Sequence, residues 1–95
     1  MPWTLAYEPG VTKDLKRLDR LEQRFILESL DKLAAGYSPA LVNELIRTGK
    51  LKRLKGQWKG FFRLRLRSWR VIYREYGKSL LILVVRVGHR RDVYE

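Results

Sequence analysis

The segment "FFRLRLR" at 61–67 alternates without a break. Phe62, Leu64 and Leu66 fall on one side, and Arg63, Arg65 and Arg67 on the other. Two is the side-chain period of a β-strand, so the segment reads as a strand with one dry face and one wet face. Its register is tightly specified, because a slip of one residue would turn three arginines into the core. A dry sheet face needs a cover, and the rest of the chain supplies one.

Before this strand the pattern is mostly helical. "WTLAY" (3–7) is a short strand closed by Pro9-Gly10. Thr12 is placed to cap a helix from Lys13, with Val11, Leu15 and Leu18 at helical spacing. Asp19 marks a turn or cap before a second helix, whose stripe is Leu21, Phe25, Ile26, Leu30 and Leu33 and whose stop is Gly36. These two pieces form a helical hairpin or one helix with a break. Ser38, Pro39 and Gly49 bound a brief third helix. A basic connection, "KLKRLKGQWKG" (50–60), leads into the alternating strand. A further strand is expected from Trp69 to Tyr76, a tight turn at Gly77-Lys78, and a last strand from Leu80 to about Val87. That last strand is apolar on both faces and so central in the sheet. The order is strand, helices, then three antiparallel strands: an α+β fold in one domain, 1–95, with helices on one sheet face. The first strand is expected to pair with the C-terminal meander. The face carrying Arg63 and Arg65 is left uncovered.

Charge shows what that face is for. The net charge is +11, from 21 basic and 10 acidic residues. Between Glu44 and Glu75 there is no carboxylate but there are eleven cations, so the entire surplus sits in one third of the chain. A field so concentrated attracts a polyanion. A merely solubilising surface would scatter its charge. With no cysteine and one histidine, thiol chemistry, disulfides and zinc sites have no residues to build them. No Gly-rich phosphate loop precedes a helix, no carboxylate pair lies in the basic region, and no cofactor is expected. The longest apolar run, "SLLILVV", is strand-sized, and the N-terminus lacks a signal-peptide pattern; a cytoplasmic protein is expected.

The remaining chemistry belongs to arginine, with a histidine and a tyrosine near the terminus. A guanidinium fork grips two phosphate oxygens at once and stabilises charge that builds at phosphorus, but it does not act as a base. Proton transfer would fall to His89, to Tyr94 or to water. Lys50, Lys52, Arg53, Lys55 and Lys59, with Arg67 and Arg91, read as positioning charges that would track a nucleic-acid backbone. Trp58, Trp69 and Tyr73 read first as packing residues, and Arg86 as a plain surface cation.

"LKRLKGQWKGFFRLRLRSWRVIY", an apolar strand and "VGHRRDVYE" together resemble the toxins of the RelE/ParE superfamily of type II toxin–antitoxin systems, RelE-like branch. The most specific parts are Leu54-Lys55-Gly56, Arg63-x-Arg65, Arg70-Val-Ile-Tyr73 and Gly88-His89-Arg90. The resemblance spans essentially the whole chain. It implies a twisted antiparallel sheet with an N-terminal helical hairpin on one face. It also implies a ribosome-dependent endoribonuclease that cleaves mRNA in the A site by attack of the RNA's own 2′-hydroxyl, with ribosomal 16S RNA contacts and a RelB-like acidic antitoxin as partner. By position, Arg70, Arg90 and Tyr94 match family site residues, and Arg63 and Arg65 fall where several members carry lysine. Two departures stand out. Arg67-Ser68-Trp69 replaces a common Gly-Asp-Tyr, and arginine at 63 and 65 removes any lysine base. The general base stays open between Tyr94, His89 and none. A ParE-like inhibitor of DNA gyrase and a non-catalytic RNA-binding domain are the alternatives.

Overall fold

The computed structural model describes residues 3–91. The elements in chain order are β1 (Thr4–Tyr7), α1 (Pro9–Lys16), α2 (Arg20–Ala35), α3 (Pro39–Arg47), β2 (Leu51–Arg53), a 3-10 turn (Gly56–Trp58), β3 (Phe61–Leu66), β4 (Trp69–Tyr76) and β5 (Leu81–His89). They build one five-stranded sheet in the order β1-β5-β4-β3-β2, with the helices packed on one face. Strands β2 to β5 are antiparallel neighbours; β1 joins β5 as the one parallel pair of the sheet.

The alternation in β3 is realised as expected. Phe62 and Leu64 are buried and lie beside Tyr73 and Val71 of β4. Val11, Ile26 and Leu30 close over them from the helices with no exposed surface. Each such side chain contributes about 1.5–3 kcal/mol when it leaves water. Phe62 stacks on Tyr73 at 5.2 Å between ring centres. The Tyr73 hydroxyl lies 3.0 Å from the Tyr37 hydroxyl, which in turn donates to Glu75 at 2.6 Å. Burial pushes both phenols well above their ordinary value.

Capping sets where the helices begin and stop. The Asp19 side chain accepts from the Glu22 N–H, and Ser38 accepts from the Leu41 N–H. After α3, Gly49 at φ 82° lets its N–H reach Ile46 and the Lys50 N–H reach Leu45. This left-handed Schellman turn swings the chain directly into β2.

Several expectations are corrected. Helix α1 starts at Pro9, not Lys13: Glu8 is its N-cap, and Pro9 occupies the first turn, where its missing N–H costs nothing. The basic connection contains a strand, with Leu51 buried opposite Leu64. The β4–β5 connection is longer than Gly77-Lys78. It runs to Leu80 at φ 50°, and β5 then extends to His89, two residues past Val87. Among the described residues, no helix is long and apolar enough to cross a membrane.

Candidate functional site

The face of the sheet opposite the helices carries the arginines. Arg65 of β3 lies directly beside Arg70 of β4, and Arg70 lies beside Gly88 of β5. Glycine at 88 presents no side chain, so nothing from β5 stands over the Arg70 guanidinium at that row. One row away, Arg63 flanks Ile72, and Ile72 flanks Arg86. Ile72 is only 1% exposed although it lies on the open face. Arg63 and Arg86 flank it in register on either side.

Arg70 is the centre of the group. Its Nη1 donates to the carbonyls of Arg67 and Trp69, both at 3.0 Å, which fixes the guanidinium against the β3–β4 turn. Of five donors, this leaves Nε and Nη2 to meet a ligand. Burial, and then the charges of Arg63, Arg65 and Arg90, pull its pKa down from the ordinary value. Those three charges are thus near enough to Arg70 to act on it. Arg63 is lowered by burial and by Arg65. Arg90 is held there by its backbone N–H, which donates to Ser68 at 2.9 Å. Four like charges in one place repel one another, and an anion among them relieves that repulsion.

The β3–β4 turn is tight, two residues long, with Arg67 at φ 59°. Positive φ is the region where glycine is usual, and an arginine there is strained. The strain is offset on the other side of the sheet: the Arg67 guanidinium lies 3.7 Å from the centre of the Phe25 ring on α2.

The other candidates divide by face. Lys52 pairs in register with Arg63 and shares its open face. Lys50, Lys55 and Lys59 are exposed. Arg53 and Arg67 are not part of it. Arg53 points to the helix side, over the Phe62 ring at 5.2 Å, and lines a cavity of about 140 Å³ with Tyr37 and Glu75. The physical reason is alternation: a residue beside Lys52 on a strand must face the other way. His89 is likewise turned away. It faces Trp69 edge-on at 5.7 Å, and the Trp69 indole N–H donates to Glu22 of α2 at 2.9 Å. The imidazole thus lies in a cavity of about 280 Å³ beside Asp14 and Arg17, on the helix side of the sheet. Gly88 and Arg90 straddle His89 and take the opposite face, so the structure does not bring His89 to the arginines. Arg91 is exposed just beyond, its N–H on His89 Nδ1 at 3.3 Å. Tyr94 lies outside the described residues. Among the described residues, no group of three His, Cys, Asp or Glu is arranged to hold a metal ion.

Two placements within the site depend on register and are not readable from sequence. Gly88 was read only as part of a terminal motif, and its value as a gap beside Arg70 depends on the β4–β5 register. Lys52 was placed in a connection; its position on β2 depends on the turn at Gly49.

A family model described as the ParE toxin of type II toxin–antitoxin systems, parDE, matches residues 5–94. The chain belongs to the RelE/ParE family of type II toxins. The toxin RelG of Mycobacterium tuberculosis is 30% identical over 94 residues, covering 99% of this chain and 98% of RelG. Among solved structures, the RelE–RelB complex from Pyrococcus horikoshii is similar with a TM-score of 0.71 and 27% identity, covering 98% of this chain and 100% of the other. The RelBE2 toxin–antitoxin complex of M. tuberculosis gives a TM-score of 0.70 and 26% identity, with 95% and 100% covered. The toxin family and its fold thus agree with the open basic sheet described above.

Proposed function

We propose that this toxin is a ribosome-dependent endoribonuclease that cleaves mRNA in the A site, inhibits translation, and is neutralised by a RelB-like acidic antitoxin. The observation that carries the reading is the convergence of Arg63, Arg65 and Arg90 on Arg70, whose fork is fixed by two turn carbonyls. In the reaction, O2′ of one nucleotide attacks the adjacent phosphorus, the bond from phosphorus to O5′ of the next nucleotide breaks, and a cyclic phosphate remains. One proton leaves O2′ and one reaches O5′. Charge accumulates on the non-bridging oxygens as the fifth bond forms. Arginine forks already in place stabilise that charge without having to reorganise. They move no protons, because a guanidinium does not titrate at working pH. Tyr94 is the residue to test for that step. Lys50, Lys52, Lys55 and Lys59 would hold the RNA backbone and ribosomal RNA by charge. The partner assignment follows from the net charge of +11 and from relatives solved as complexes with RelB antitoxins.

Single-turnover cleavage on programmed ribosomes tests this. Arg70→Ala should lower the rate on the order of 10²–10³-fold while ribosome binding falls far less. The ParE description of the matching family favours a second reading, inhibition of DNA gyrase. Mapping mRNA ends and gyrase-linked DNA breaks in the same induced cells separates the two. Full-rate cleavage by Arg70→Ala, or DNA breaks without mRNA cleavage, would overturn the nuclease reading.

A further inference from the structure

The open face does not end at the arginines. Two rows along β3 from Arg65, Phe61 lies beside Arg74 of β4, and Arg74 beside Leu83 of β5. Four residues of strand separate Phe61 from Arg65, about 13 Å at the usual rise. Here the surface changes character. Trp58 stands edge-on to Phe61 at 5.4 Å, and Tyr76 is 38% exposed. The Arg74 guanidinium bridges the two rings, 5.4 Å from the centre of Phe61 and 5.3 Å from that of Tyr76. Trp58, Phe61, Tyr76, Leu83 and Val85 line a shallow depression of about 390 Å³, rimmed by Arg86 and Glu8.

None of these side chains belongs to the core, which lies on the other face of the sheet. Packing therefore does not account for three aromatic rings gathered here. Flat rings bridged by an arginine plane, on a predominantly basic face, are the kind of surface on which bases of single-stranded RNA stack. The Glu8 carboxylate at the rim disfavours a phosphate and suits the amino group of a base.

We propose that Trp58, Phe61 and Tyr76, with Arg74 between the rings, form a stacking subsite for a base flanking the scissile phosphate, on the same RNA strand that the arginine cluster holds. This rests on the nuclease reading. The subsite would make cleavage depend on the nucleotide at one flanking position by stacking rather than by charge.

The test uses ribosomes programmed with mRNAs carrying a single abasic nucleotide at successive positions on either side of the cleavage point. With the intact toxin, one flanking position should raise KM on the order of ten-fold when abasic, and kcat should hold. Tyr76→Ala should raise KM for the intact mRNA by a similar factor and lose its sensitivity to the abasic position, and Tyr76→Phe should restore both. The salt slope of binding should stay unchanged in Tyr76→Ala, because no phosphate contact is removed. If Tyr76→Ala cleaves like the intact toxin and only antitoxin binding weakens, the depression is a protein-docking surface and the proposal is wrong, while the nuclease reading stands. If the intact toxin cleaves no mRNA, both fall.

Discussion

The two faces of β3 and β4 come from the same sixteen-residue stretch, 61–76, and are used in opposite ways. On the helix side, arginines are drawn into packing. Arg67 lies over Phe25 and Arg53 of neighbouring β2 lies over Phe62. On the open side, Arg63, Arg65 and Arg70 stand together with no carboxylate of their own strands facing them, and burial followed by the neighbouring arginine charges lowers the pKa of Arg63 and of Arg70. Residue type is the same on both sides; alternation places Arg53, Arg63, Arg65 and Arg70, and the turn after β3, with Arg67 at φ 59°, carries Arg67 to the helix side. The sheet thus separates stability from charge, and a substitution should damage one or the other.

The sharpest break of this contrast is on the dry face. Phe62→Ala should destabilise the fold by about 3–5 kcal/mol, since it empties a site stacked on Tyr73, and denaturant titration should show it. Almost as large, but confined to activity, is Arg70→Ala. It should remove about 3–4 kcal/mol of transition-state stabilisation while the unfolding free energy stays within about 0.5 kcal/mol of the original. Arg70→Lys should recover only part of the rate, because a point charge lacks the fork. A coincident loss of stability and rate in Arg70→Ala would show that the two faces are not independent. Arg67→Ala sharpens the contrast from the other side: it should cost about 0.5–1 kcal/mol of stability through Phe25 and leave single-turnover cleavage unchanged. The smallest effect is one of pH. Tyr73 and Tyr37 have folded pKa values raised above the ordinary 10.0, so the folded state holds their protons longer than the unfolded chain does. Their contribution is complete below about pH 10 and is lost as pH rises beyond it. Tyr73→Phe should make that alkaline decline shallower in thermal melts recorded across pH 9–11.

Much of this was legible in the residues. β3 was plain because Phe62, Leu64 and Leu66 alternate with Arg63 and Arg65; Arg67 continues the pattern in sequence but falls in the turn beyond the strand. The caps at Asp19 and Ser38 were legible because a short oxygen-bearing side chain precedes an apolar stripe, although Thr12 carried the same signal and lies inside α1. Arg65 and Arg70 were both singled out, but their adjacency came from the register of a two-residue turn. What stayed hidden depended on tertiary context. Pro9 can close a turn or open a helix, and only the α1 packing decides between them. Leu51 alone does not announce a three-residue edge strand; the partner at Leu64 makes it one. His89 sits inside a basic terminal motif, yet its face is set by pairing with Trp69, which sequence proximity to Arg90 cannot show. Leu21 was counted in the α2 stripe and is 76% exposed, because the stripe meets the sheet only from Phe25 onward.

The parallel pairing of β1 with β5 has a consequence in time. Thr4 and Leu81 are partners although 77 positions apart, so β1 waits without its neighbour while everything between them is synthesised. At 5–20 residues per second that delay is several seconds. Arg90, which completes the cluster, follows β5 directly. A nascent chain of this toxin therefore holds an unfinished basic face for as long as the ribosome is still making its last strand, and the arginine cluster is complete only after its own template has been read through Arg90.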